Sequence, residues 1–440
     1  MFFGGKTMKR IICIMVAMLL AVLPCIALTA CNNDSENGSK ADSGKIDLKV
    51  GTILIGDETE GYTLAHMNGM TAAVEALKKE GKNVQIMNKK KVPESSDVKT
   101  NALDLIADGC TLIVTNSYGH QFHFDDVIEK NPEVTFVAMT GDLAKSVSAE
   151  KGYKNYFNAF TDIYEARYVS GVIAGMKVKE LVDNGTLTAE KLPESFDENG
   201  NIKIGYVGAF NYAEVVSGYT AFFLGVKSVV DNVVMTVKYT NSWFDEQREA
   251  TVGEQLQKLG CVIIGQHADS TGAPAAIQKA YNQNKSLVCY SVGYNVDMLD
   301  VAPDVVLTSP TNNWEVYYET IFRDMIEGKT LPTDWSEGYS VNAVGTTALG
   351  KACAAGTAEK VDETVKAIKD GTLKVFDCSK FTVKGEHLTS YTTAYGFEGN
   401  ECIKTENGVT YFDETSLRSA PYFDIRIDGI TEIASEYEAE

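Results

Sequence analysis

From residue 47 onward, short apolar runs alternate with amphipathic stretches, and that alternation restricts the possible folds more than any other feature of the chain. "LKVGTILIG" precedes "GYTLAHMNGMTAAVEALKKEG", where Leu64, Met67, Ala72, Val74 and Leu77 recur at roughly helical spacing and Gly81 ends the run. "TLIVTN", "EVTFVAMTG" and "NYFNAFT" follow, separated by helical stretches such as "DVKTNALDLIADG". A long predicted helix, "DIYEARYVSGVIAGMKVKELVDNG", carries Gly171 and Ala174, which suit close helix packing. After the loop-like "TAEKLPESFDENGN", a second series opens at "KIGYVGAF" and continues through "VVMTVKYTN", "CVIIGQ" and "SLVCYSVGYN". Repeated βα units imply open parallel sheets flanked by helices. Two series of similar size predict an α/β protein of two lobes around a cleft, and 440 residues are enough for both.

Ligands of open α/β sheets sit at the carboxyl ends of the strands, so the residues there are the candidate site. Asp57 and Tyr62 follow the first strand; Asn116, Tyr118 and His120 follow "TLIVT"; Thr140 follows "TFVAM". In the second series, Asn211 follows "KIGYVG", Trp243 and Phe244 follow "VKYT", and His267, Asp269 and Ser270 follow "VIIG". Asn295 and Asp297 follow "VCYSVG", and Trp314 stands before the last crossover. Rings, amides, hydroxyls and a few carboxylates suit a planar, neutral ligand stacked between rings and read along its edge; sugar sites use a similar mixture.

Other roles remain open for several of these residues. Trp243 could staple a helix start, with Ser242 or Asp245 as the cap. His267, Asp269 and Ser270 are too close in sequence to serve as base and nucleophile, and the chain has no G-x-S-x-G elbow, so they read as ligand contacts or caps. His120 and His123, near Asp125 and Asp126, read as a surface cluster rather than a metal site. No G-x-G-x-x-G or Walker sequence occurs, and neither a metal nor a cofactor is expected.

Lys6, Lys9 and Arg10 precede the apolar run "IICIMVAMLLAVLPCIAL", which ends in "LTAC". A basic start, an apolar stretch and small residues before a cysteine describe a lipoprotein signal, with Cys31 as the lipidated residue. A transmembrane anchor is the other reading of such a run. The polar "NNDSENGSKADSGK" beyond it reads as a flexible tether. A net charge of −20 argues against nucleic acid as a partner. Cys110, Cys261 and Cys289 read as buried thiols, while a Cys378–Cys402 disulfide is open.

In order along the chain, "GYTLAHMNGM", "EARYVSGVIAGM", "KIGYVGAF", "NSWFD", "QHADS", "SVGYNVDM" and "LTSPTNNWEVYY" resemble segments of the basic membrane protein family. Its members are lipoprotein substrate-binding components of ABC transporters, and the better-known ones are purine nucleoside receptors. The resemblance covers about residues 47 to 340 and implies a type I periplasmic-binding fold. It further implies a purine sandwiched by one ring from each lobe. Tyr62, seven residues before Gly69, maps to the first ring; Trp243 maps to the second, with Phe244 as alternate. The family's acidic residue maps near Asn295 and Asp297.

Two departures bear on the ligand. The lysine expected after "TS" is missing between Thr308 and Glu319, where Asn312, Asn313 and Trp314 stand. "QHADS" replaces a glycine-rich segment. Both favour a free base such as adenine over a nucleoside, with Asp269 and Asn295 at the base edge. The implied partners are a membrane permease and a separate ATPase subunit, and the implied location is the extracytoplasmic face of the cell membrane.

The expected organisation is signal 1–31, tether 32–46, first lobe 47–160, second lobe 161–305, crossover 306–340 and a C-terminal appendage 341–440. In the appendage, "AEKVDETVKAIKDGTLKVF" reads as a helix leading into a strand and "KTENGVTYFDE" as a hairpin with an Asn-Gly turn. Rival functions are a receptor or sensor for another small ligand on the same fold and a secreted two-domain enzyme.

Overall fold

The computed structural model describes residues 45–392 and 399–438, so the predicted signal, Cys31 and most of the tether lie outside the described residues. The first series comprises β1 (Leu48–Ile53), α1 (Gly61–Lys79), β2 (Val84–Lys89), α2 (Asp97–Ala107), β3 (Leu112–Thr115), α3 (Asp125–Lys130), β4 (Thr135–Met139), α4 (Ala144–Lys151), β5 (Tyr156–Thr161) and α5 (Ile163–Asp183). The second comprises β6 (Ile202–Gly208), α6 (Ala213–Lys227), β7 (Val233–Tyr239), α7 (Glu246–Lys258), β8 (Ile263–Gln266), α8 (Gly272–Gln283) and the short β9 (Tyr290–Ser291). Beyond them come β10 (Pro310–Asn312), α9 (Glu315–Glu327), β11 (Asp334–Glu337), β12 (Val344–Thr346), α10 (Thr357–Lys369), β13 (Ile403–Glu406), β14 (Val409–Phe412) and β15 (Ile430–Ile433).

Two parallel sheets result. The first has the order β11-β5-β4-β3-β1-β2 and the second β15-β7-β6-β8-β9. Strands covered by helices on both faces carry unbroken apolar runs, and every residue of β3, "LIVT", is buried. The expected α/β architecture of two open sheets flanked by helices is present.

Helices α5 and α6 meet through glycine. A methyl group on Gly171 would lie 2.1 Å from the carbonyl oxygen of Phe222, and one on Gly225 would lie 2.1 Å from that of Tyr168. Backbone approaches backbone here, so neither residue can carry a side chain.

The chain leaves the first sheet after β5 and returns after β9. Helix α9 packs on α1 and β11 extends the first sheet beside β5. Two of the crossings are stitched together. Ser336 donates to the Asp162 carboxylate, the Asp162 amide donates to the Glu337 carbonyl (2.9 Å), and the Tyr339 amide donates to Glu165 Oε2 (2.7 Å). Burial and neighbouring carboxylates push Asp162 up to about 7 and Glu165 up to about 8.

The tail differs from the expected appendage because it supplies a structural edge. Strand β15 pairs in parallel with β7, and the Tyr219 hydroxyl donates to Glu432 of β15 (2.7 Å). The Asn-Gly hairpin is β13–β14, with Asn407 at φ 51° and Gly408 at φ 82°. The strand expected after α10 is irregular chain instead. Cys110, Cys261 and Cys289 are buried as expected, and Cys378 is a free buried thiol, so no Cys378–Cys402 bridge forms.

Two outcomes follow from this packing. Gly171→Ala should destabilise the protein by about 1–3 kcal/mol or prevent folding, measured by urea unfolding. Asp162 and Glu165 have raised folded-state values, so the stability they confer is complete below their unfolded values and is lost as pH rises toward about 8. Glu165→Gln should therefore flatten the decline of Tm across that window.

Candidate functional site

A cavity of about 250 Å³ lies between the carboxyl ends of the two sheets. The first lobe lines it with Ile55, Glu60, Tyr62, Asn116, Ser117, Tyr118, Thr140 and Phe160. Tyr212, Ala213, Glu214, Trp243, His267, Asp269 and Tyr294 face it from the second, and Arg418, Ala420 and Pro421 from the tail. The lobes touch across it. Gly61 N–H donates to the Asp269 carbonyl (3.3 Å), and the rings of Tyr118 and Tyr212 lie 5.9 Å apart.

Local structure explains these placements. Helix α1 starts at the cleft because Glu60 caps it, accepting from the amides of Tyr62 (3.1 Å) and Thr63 (2.8 Å). Tyr62 therefore stands in the first turn; its hydroxyl is buried without a hydrogen-bond partner and its ring meets His66 edge-on at 4.5 Å. In the other lobe Asp245 caps α7, accepting from Gln247 N (3.0 Å) and Arg248 N (2.9 Å). The capping role in "NSWFD" thus belongs to Asp245, while the Trp243 ring packs on Phe210 (4.9 Å) and lines the cavity. Glu249 joins this turn to the next: its carboxylate accepts from Asp245 N (3.1 Å) and Ser270 N (3.0 Å). Burial raises Glu249 to about 8.

The strand ends also carry backbone strain. Thr140 (φ 61°), Asn241 (φ 53°) and Asn295 (φ 61°) adopt left-handed backbone. For β-branched Thr140 this conformation is costly, as is common where a site over-determines its backbone.

Seven of the expected residues come together at the cavity: Tyr62, Asn116, Tyr118, Thr140, Trp243, His267 and Asp269. The others do not line it. Asp57 pairs with Lys91 (2.6 Å) at the surface, and Asn211 accepts from Arg426. Phe244 is 37% exposed, and exposed Asp297 caps the amide of Leu299 (2.8 Å). Ser270 accepts from the Gly272 amide at the start of α8 (3.0 Å). Asn295 stands behind Asp269, donating to its carboxyl (2.8 Å).

Trp314 is fully buried, stacked on His66 at 4.3 Å in the α1–α9 interface, where Gly69 leaves it room. His120 is also buried rather than part of a surface cluster; its Nε2 meets the Val92 carbonyl (2.9 Å), and burial lowers it to about 4.

Sequence reasoning missed the charged floor of the cavity. Arg167, in the second turn of α5, is buried with its guanidinium 3.6 Å over the Tyr294 ring and bonded to the Tyr206 hydroxyl (2.6 Å) and the Gln266 carbonyl (2.5 Å). His267 Nε2 lies 2.9 Å from Glu214 Oε1. Burial works to raise Glu214, but His267 and Arg167 outweigh it and hold the carboxyl below its usual range; burial lowers His267. Asp269 goes the opposite way. Burial first, then the carboxylates of Glu60, Glu249 and Glu214, drive it well above the normal carboxylate range. Of the three acids in the cavity wall, Glu214 is thus held toward its ionised form, while burial pushes both Asp269 and Glu60 toward the protonated form, which can donate as well as accept.

Residues 64–343 match the family model described as Bmp, ABC transporter substrate-binding protein PnrA-like. The chain belongs to that family. A purine-binding protein of Brucella abortus is 33% identical over 283 residues, which are 64% of this chain and 69% of that one. Among solved structures, a solute-binding protein of an ABC transporter from Aeropyrum pernix K1 aligns with TM-score 0.59 at 17% identity, covering 77% of this chain and 94% of that one. A transcriptional activator of the comK gene from Bacillus halodurans aligns with TM-score 0.56 at 17% identity, covering 74% and 99%. At such identity these two likenesses establish the fold alone. This Bmp-family chain is thus a substrate-binding protein of the ABC-transporter type, and its matched region ends before the tail that lines the cavity.

Trp243 and Trp314, two of the three tryptophans of this Bmp protein, should separate in a denaturation experiment. Trp314→Ala should cost about 3–5 kcal/mol because it empties a filled core position. Trp243→Ala, at the cavity wall, should cost less than about 1.5 kcal/mol.

Proposed function

We propose that this protein captures a purine base, adenine ahead of a nucleoside, by closing its two lobes over it and delivers it to a membrane permease. The observation that carries this reading is the pairing of cavity rings with a buried neutral acid. Tyr62 and Trp243 come from opposite lobes, and Asp269 offers a donor and an acceptor side by side. A purine edge presents the complementary pair, and its faces stack on rings for about 1–3 kcal/mol each. The cavity of about 250 Å³ suits a ligand smaller than the drug-sized ones held in pockets of about 300–1,000 Å³. The Brucella abortus relative, a purine-binding protein, supports the same ligand class.

Lipid anchorage at Cys31 would hold the protein at the extracytoplasmic face of the cell membrane beside its permease, and a separate ATPase subunit would drive uptake. A second reading, a protonated amine caged by rings, is favoured by the three carboxyls of Glu60, Glu214 and Asp269 in the cavity wall.

Calorimetry with adenine, guanine, hypoxanthine, adenosine, inosine and choline tests both readings. Adenine should release heat at one site, and Trp243→Ala should weaken it at least about tenfold. Heat from choline alone would favour the amine, and no response to any purine would contradict the proposal. The raised Asp269 value also fixes a direction for pH. The protonated acid is the binding form, so affinity holds at low pH and falls as pH rises through that value. Asp269→Asn should remove this dependence.

A further inference from the structure

The tail segment that reaches the cavity belongs to no part of the chain matched by the family model, which ends at residue 343. Three features of it are built rather than incidental. Arg418 lies almost fully buried, with its Nη1 donating to Asp142 Oδ2 at 2.7 Å, and the two side chains are 5% and 9% exposed. The same guanidinium folds its own segment, donating to the carbonyls of Ala420 (3.0 Å) and Pro421 (3.1 Å). Asp142 in turn accepts from the Tyr118 hydroxyl (3.2 Å) and Gln121 (3.0 Å), so one carboxylate fixes both a cavity ring and the tail.

The segment is anchored to both lobes. On the first, Ser419 donates to Asp334 (3.1 Å) and Lys145 donates to the Leu417 carbonyl (3.1 Å). On the second, Arg426 bonds Asn211 and Glu432 (3.1 Å), and β15 is hydrogen-bonded into the sheet.

We propose that Arg418–Pro421 is a third wall of the ligand site, latched by the Arg418–Asp142 pair, and that it contacts the bound ligand and limits its size. The inference rests on the cleft being the ligand site. A buried ion pair is expensive to assemble, and breaking one partner leaves an uncompensated charge. A latch of this kind makes the wall either fully docked or released. Ala420 and Pro421 line the cavity with small, rigid side chains, so a bulky ligand substituent on that side would meet them.

Two variants of the full chain test this. Ala420→Phe places a ring in the cavity. It should weaken adenine binding by at least about tenfold in calorimetry while Tm without ligand stays near that of the parent. Parental affinity in a folded Ala420→Phe protein would overturn the wall. Arg418→Ala is read without ligand, by hydrogen exchange. Amides of residues 117–121, 142–144 and 417–420 should exchange at least about tenfold faster, while β6 and β8 stay unchanged. Unchanged exchange at those positions would overturn the latch. Failure of the parent protein to bind adenine would count against the purine reading alone, since the exchange experiment still decides the latch.

Discussion

A buried chain of side-chain hydrogen bonds ties an acid of the cavity wall to the crossing between the two sheets. Thr161, at the end of β5, donates to the side-chain Oδ1 of Asn312; Asn312 Nδ2 donates to Asn295 Oδ1 (2.8 Å); Asn295 Nδ2 donates to Asp269 Oδ1 (2.8 Å). The four residues are 1–6% exposed and stand, in that order, in the first sheet, on the return crossing, and at the ends of two second-lobe strands. Each link left unpaired inside the protein would cost about 1–3 kcal/mol. Asp269 cannot shift relative to the first lobe without disturbing the chain. The cavity acid is therefore tied to the interlobe crossing by this chain.

The same frame sorts the charges. His267 first, and then Arg167, hold Glu214 below the usual carboxylate range against its burial, while burial first, and then neighbouring carboxylates, drive Asp269 well above it. Acids in one small site are thus pushed in opposite directions by their surroundings alone, Glu214 down and Asp269 and Glu60 up. In the proposed reading, a protonated acid would read a ligand edge without demanding that the ligand be charged, and stacking on Tyr62 and Trp243 would add binding that does not depend on the edge.

Much of this was legible in the residues. Alternating apolar runs gave the two sheets because a parallel strand buried on both faces leaves little else possible, and the strand-end rule found Tyr62, Asn116, Trp243 and Asp269. Three things escaped it for physical reasons. Trp314 looked like a site ring, but the small residue that receives it, Gly69, is distant in sequence, so its burial between helices could not be seen. Arg167 stands among the charges of α5 and does not stand out in the sequence, and its partners come from β6 and β8. Arg418 reaches Asp142 across 276 positions, a contact that no local pattern encodes.

The most direct test of the account is the structure of the protein with the ligand it carries through purification, with that ligand identified by mass spectrometry. A purine lying between Tyr62 and Trp243, its edge on Asp269 and its flank against Ala420 and Pro421, is the predicted result. A ligand of another class, or one seated away from these rings, would contradict it.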